Sequence, residues 1–247
     1  MIVYMFHAIG ELDSDDWADP HYSFSESNFR EFLANVGSVV SLKFALENNL
    51  KKGVVVTFDD GHVSNYFAAK YIYENGYGTA DFFINPEFVG NDFYMSWQQI
   101  GDLSEWGMSV QSHGLDHQYL SDCSDPELAR QLQESKRLIE QKIGQAITIL
   151  APPGGRFDSR TTRMASEFGY QCIANSQPGR MGATFNYHIP RLAVLKHYNA
   201  HDLVSAQNLF SPLIIKLKVK YVALKIVKTL LGNRSYDLIR LKLLGDN

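Results

Sequence analysis

No apolar run in this chain approaches the roughly 20 residues that a membrane-spanning helix requires. The N-terminus, Met1-Ile2-Val3-Tyr4-Met5-Phe6-His7, lacks the basic flank and long apolar stretch of a secretory signal. Cysteine is scarce: Cys123 and Cys172 are too few for a disulfide framework and fit a reducing compartment. Basic charge is not in excess either, and a net charge of −4 gives no support for nucleic-acid binding. No internal repeat or low-complexity tract is visible. These absences lead us to expect a cytoplasmic protein.

What is present suits one large α/β domain, or a domain with a small appendage: 247 residues, 45% hydrophobic and 20% charged. The charge is unevenly spread. Residues 211–247 carry Lys216, Lys218, Lys220, Lys225, Lys228, Arg234, Arg240 and Lys242 against only Asp237 and Asp246, so this tail is +6 and residues 1–210 are −10. We therefore divide the chain into a main domain at 1–210 and a basic, mostly helical C-terminal appendage at 211–247.

Short β-branched and aromatic runs at 2–6, 54–58, 79–84, 108–112, 147–150, 170–174 and 189–195 read as strands covered on both faces. Between them lie expected helices at 26–35, 63–75, 96–106, 125–143 and 159–168. The clearest is 125–143: Asp125-Pro126-Glu127 supplies its N-terminal signal, Gly144 its stop, and Leu128, Leu132, Ser135, Leu138 and Ile139 its buried stripe. This alternation predicts a parallel sheet, either closed as a barrel or open and doubly wound.

Two segments stand where strands stop. Thr57-Phe58-Asp59-Asp60-Gly61 follows Val54-Val55-Val56, and Ser112-His113-Gly114-Leu115-Asp116-His117 follows Met108-Ser109-Val110-Gln111. In parallel α/β folds the carboxyl ends of strands build the active site. Adjacent strand residues point to opposite faces, so Asp59 and Asp60 serve one site only if the backbone turns, as Gly61 permits. On its own, Asp-Asp-Gly also suits a solvated turn. The spacing of His113 and His117 lets two imidazoles reach one metal, and with Asp60 they form a two-histidine, one-carboxylate set. Zinc is the expected ion, and Co2+, Ni2+ or Mn2+ suit the same ligands. A third segment, Ala151-Pro152-Pro153-Gly154-Gly155-Arg156, is either a rigid loop or a device that aims a backbone N–H of Gly154 or Gly155 at a developing oxyanion.

Over roughly residues 1–205 the chain resembles the polysaccharide deacetylase superfamily (the NodB-homology domain, carbohydrate esterase family 4). Thr57–Gly61 and Ser112–His117 match its first two motifs, followed by a typical Leu120, and Tyr187-His188-Ile189-Pro190-Arg191-Leu192 resembles the segment that opens its last strand. The resemblance implies a distorted (β/α)7 barrel and metal-dependent removal of an N-acetyl group from an amino sugar. The substrate would be an N-acetylated glycan of the cell surface or its lipid-linked, glycolipid precursor. Asp60, His113 and His117 would hold the metal, Asp59 would be the catalytic base, and Pro153 and Gly154 would flank the oxyanion.

Two departures leave roles open. Ala151 and Gly154 replace the Arg and Tyr of the family's Arg-Pro-Pro-Tyr motif, so either another cation orients Asp59 or the base is weaker; for the cation, Arg191 is preferred over Arg156. Leu195-Lys196-His197 matches the general-acid motif in letters but directly follows Ile189-Pro190-Arg191; His197 and the strand-end His7 are both candidates. The same site could serve an amidase or deformylase acting on a smaller substrate, or persist in a non-catalytic glycan-binding relative. In the tail, 213–222 alternates apolar and basic residues with period two, whereas 222–231 and 236–244 read as short helices. It either packs on the barrel with its lysines in water or makes peripheral contact with the inner membrane face.

Overall fold

The computed structural model describes residues 1–182 and 186–223. Its strands are β1 (Ile2–Phe6), β2 (Val54–Phe58), β3 (Asp81–Ile84), β4 (Ser109–Ser112), β5 (Ile149–Leu150), β6 (Cys172–Asn175), β7 (His188–Pro190) and β8 (Leu192–Ala193). All pairs are parallel, in the order β7-β6-β5-β4-β3-β2-β1-β8. β7 and β8 are separated by Arg191 alone. One half of this segment pairs with β6 and the other with β1, so a single seventh stave closes the ring. The fold is the expected distorted (β/α)7 barrel.

The helices are α1 (Glu26–Val36), α2 (Leu42–Glu47), α3 (Ser64–Glu74), α4 (Trp97–Glu105), α5 (Asp125–Ile143), α6 (Ser159–Glu167) and α7 (Ala200–Ala206). Neither α2 nor α7 was expected, because at six and seven residues they are too short for a helical period to register. The N-cap of α5 is Ser124 rather than Asp125, which already lies in the first turn. Its buried stripe includes Gln131, whereas Leu138 is only half-buried.

Strand alternation builds two apolar layers. Val54, Val56 and Phe58 of β2 face the helices, where Phe6, Phe29, Phe58 and Phe82 pack ring against ring; Phe58 stacks on Phe82 at 4.8 Å. Val3, Val55, Phe83, Ile149, Ala174 and Ile189 fill the barrel with Leu42 and Ala45 of α2. Asp81 accepts hydrogen bonds from the Leu42 and Lys43 N–H groups at the start of α2.

Residues 212–223 are helical, not extended. Leu213, Ile214 and Leu217 fall on one helical stripe, and packing against the main core selects the helix over the period-two reading. From residue 224 onward the expected helices lie outside the described residues.

Candidate functional site

The strand ladder extends one residue beyond several strand ends. Asp59 N–H donates to the Phe6 carbonyl, His113 N–H to Ile84 and Ala151 N–H to Ser112, each at 2.9 Å. This register sets Asp59, His113 and the Pro152–Gly155 turn around one carboxyl rim, with His7 directly after β1. There they line a cleft of about 950 Å3 together with Asp60, His117, Trp17, Tyr22, Tyr119, Arg156 and Tyr221.

The turn that brings both aspartates to one site starts earlier than expected. Asp60 itself has φ 71°, followed by Gly61 at 77°, and His117 has φ 62°. Left-handed backbone at a non-glycine residue costs energy and concentrates at functional sites. The loop that carries His117 is fastened from α5: buried Gln131 accepts from Leu115 N–H at 2.8 Å and donates to the Asp116 carboxylate.

Asp60 Oδ1 lies 3.1 Å from His113 Nε2 and 3.2 Å from His117 Nε2, and the ligand atoms of the three side chains all fall within 4.8 Å of one another. His113 Nδ1 donates to the Ala151 carbonyl at 2.7 Å, which orients the ring with Nε2 toward Asp60. This donor set fits a divalent ion. Burial alone would raise the pKa of Asp60, but hydrogen bonds from His113 and His117 outweigh it and hold the carboxyl well below the ordinary range.

Asp59 has a different partner. Arg191 Nη1 and Nη2 donate to its two oxygens at 2.6 and 2.7 Å, and both residues are buried. The guanidinium also donates to Thr57 Oγ1 at 3.2 Å and the Asn175 carbonyl at 3.3 Å, and it lies over the Phe83 ring. Burial works to raise the pKa of Asp59; the Arg191 charge, then His113, more than offset it, and the net shift is downward. Arg156 lies elsewhere, 4.4 Å over the Tyr119 ring.

His197 is exposed beyond β8 and is not among the described residues that line the cleft. The ladder runs on to Val194, whose N–H donates to the Met5 carbonyl at 2.9 Å, and Lys196 N–H donates to the His21 carbonyl at 2.8 Å, while the His197 side chain beyond them is exposed. His7 does line the cleft, 4.6 Å from the Tyr22 ring, and its Nδ1 is buried without a hydrogen-bond partner. Desolvation lowers its pKa, against Asp60 and Asp59, which raise it.

In the third segment Pro153 is buried and has no N–H to give. The N–H groups of Gly155 and Arg156 are taken by the carbonyls of Pro152 and Pro153. Gly154 has φ 57°, and a Cβ there would sit 2.7 Å from Tyr119 Cε1, so both backbone and space demand glycine.

Several cleft residues escaped sequence reasoning. Trp17 and Tyr22 come from the long β1–α1 loop, which is tied down by Asp16 to His62 at 2.9 Å and by Trp17 stacked on Tyr94 at 4.3 Å. The available signal was aromatic residues in loops that follow strand ends.

The chain is similar to known proteins. The family model described as polysaccharide deacetylase matches residues 47–173. YxkH of Bacillus subtilis (strain 168), assigned to the polysaccharide deacetylases, is 29% identical over 129 residues, 52% of this chain and 46% of its own length. The peptidoglycan-N-acetylglucosamine deacetylase of Bacillus cereus is 27% identical over 126 residues, 51% of this chain and 57% of its own. The chain thus spans about half the length of the curated relatives it matches. Among solved structures, the Streptococcus pyogenes deacetylase PplD, in complex with acetate, has a TM-score of 0.75 at 21% identity over 84% of this chain and 98% of that one, a likeness of fold. The matched family segment covers just over half of the chain and holds Asp59, Asp60, His113 and His117. By that match, this chain belongs to the polysaccharide deacetylase family.

Proposed function

We propose that the protein is a metal-dependent hydrolase that removes an N-acetyl group from an amino sugar of a cell-surface polysaccharide or its lipid-linked precursor. The observation that carries this reading is the division of labour between adjacent aspartates. Asp60 faces two imidazoles, while Asp59 faces a guanidinium.

Asp60, His113 and His117 would hold one divalent ion, with zinc the first expectation. When bound, such an ion lowers the pKa of water and polarises an amide carbonyl. Asp59, kept ionised and oriented by Arg191, accepts the proton of the attacking water. The Gly154 N–H, free of the turn's own hydrogen bonds, faces the oxygen that gains charge as the carbonyl carbon becomes tetrahedral. Collapse breaks the C–N bond, yielding acetate and a free amine. His7 protonates the departing nitrogen in this scheme: it lines the cleft with an unpartnered Nδ1, whereas His113 and His117 face Asp60, His62 faces Asp16 and His188 meets Thr162.

The aromatic cleft walls, Trp17, Tyr22 and Tyr119, suit the apolar faces of sugar rings. The bidentate Arg191–Asp59 pair supports catalysis over the non-catalytic glycan-binding reading, because binding alone has no need of an oriented base. The proposed location is the cytoplasm, where lipid-linked sugars at the inner membrane face would be within reach.

A panel of acetylated and formylated amino-sugar oligomers, with release of acetate and formate measured, tests the reading. Acetate from oligomers supports it; formate alone, or turnover confined to a small amide, shifts it to a deformylase or amidase. Metal binding without any release would favour the non-catalytic alternative.

A further inference from the structure

The helix at 212–223 carries two apolar stripes. Toward the barrel, Ile214 is buried in the main core, Leu213 and Leu217 pack against it, and Tyr221 reaches the cleft wall. On the opposite side Ile215, Val219 and Val222 are 52%, 65% and 54% exposed. At 100° per residue these three fall within an arc of about 60°, with Lys218 on one flank and Lys216 on the other. Just before the helix, Leu209 and Phe210 are 72% and 81% exposed. Half of the exposed large apolar side chains among the described residues therefore lie between 209 and 222.

Charge decides what covers this stripe. No Asp or Glu occurs between Asp202 and Asp237, whereas Lys216, Lys218, Lys220, Lys225, Lys228 and Arg234 do. Two copies meeting stripe to stripe would set lysine against lysine, with no carboxylate on the segment to neutralise them. An anionic lipid surface satisfies both features: the stripe enters the acyl boundary, and the lysine stems lie along it with their ammonium groups among the headgroups.

We infer that 212–223 is an interfacial helix that seats the protein on an anionic membrane surface. Because Tyr221 on its inner face lines the cleft, docking sets the cleft mouth beside the headgroups. That a membrane-borne sugar would meet the site there rests on the proposed function; the docking itself does not.

Co-sedimentation of the 247-residue chain with phosphatidylcholine vesicles, with and without phosphatidylglycerol, tests this. Wild type should bind only the anionic vesicles, and less so as salt rises. Lys216→Glu with Lys218→Glu should weaken binding by roughly thirtyfold or more. Ile215→Asp with Val219→Asp should abolish it. Both double variants should keep the wild-type melting temperature, since the altered side chains face solvent. Absence of wild-type binding, or variants that bind like wild type, would overturn the inference. So would a wild-type dimer in light scattering that Ile215→Asp with Val219→Asp renders monomeric, because the stripe would then belong to a second copy. Vesicle binding without acetate release would retire the proposed function and leave the docking standing.

Discussion

Arg191 grips Asp59 at both carboxylate oxygens across 132 residues of sequence, inside the barrel and away from water. The family's third motif usually supplies the orienting arginine, and here Ala151 stands in its place. The break between β7 and β8 delivers a guanidinium to Asp59 instead.

Removing only one member of that pair leaves a buried charge without a partner. Arg191→Gln should destabilise the protein by about 3–5 kcal/mol in chemical denaturation. Arg191→Gln combined with Asp59→Asn should cost less than the single change. Arg191→Lys keeps the charge but loses the two-point fork, and should lower turnover by roughly tenfold to a hundredfold while metal content is retained. The folded pKa of Asp59 is depressed, so the stability gained from the pair is present above the unfolded value of 3.8 and lost as pH falls through the folded one.

The two aspartates should separate experimentally. Asp59→Asn is expected to bind metal as wild type does and to lose turnover by roughly a hundredfold to ten-thousandfold. His113→Ala should lose both metal and turnover. Elemental analysis alongside acetate release checks the pair.

The two candidate histidines should diverge as well. His7→Gln should reduce kcat and alter the alkaline side of the pH–rate profile, because it removes a group at the cleft. His197→Gln should behave as wild type, since that side chain is exposed outside the cleft.

These contrasts mark where the chain was legible in advance. Val54–Phe58 reads as a strand, and Asp59-Asp60-Gly61 as the turn that lets both carboxylates face one cleft, because all the information lies within eight residues. His113 and His117 are similarly local. Arg191 could be placed only ahead of Arg156, because a contact across the barrel leaves no periodic trace. His197 is the opposite case: its letters fit a motif, but they follow the end of the stave, where the side chain is exposed. Gln131 could not be foreseen because an amide on a helix stripe reads as solvent-facing until its partners Leu115 and Asp116 are known.

Asp81, at the opposite end of the barrel, offers a pH test that is independent of the metal site. Burial pushes its carboxyl up to about 6, against hydrogen bonds from Leu42, Ser109 and Lys43. A raised folded pKa means that the native state holds the proton longer than the unfolded chain does. Wild-type stability relative to Asp81→Asn should therefore fall as pH rises from 4 to 6, by up to about 3 kcal/mol. Denaturation midpoints of the two proteins, measured across that window, check the sign.

The central claim is that Asp60, His113 and His117 hold the ion on which hydrolysis depends. Its most direct test is zinc titration of chelator-stripped protein, with acetate release from an acetylated amino-sugar oligomer followed at each point. The account predicts no release without metal, then a rise that saturates at one ion per chain in wild type and fails to appear in His113→Ala. Full activity in the stripped protein, or an equal rise in His113→Ala, would contradict it.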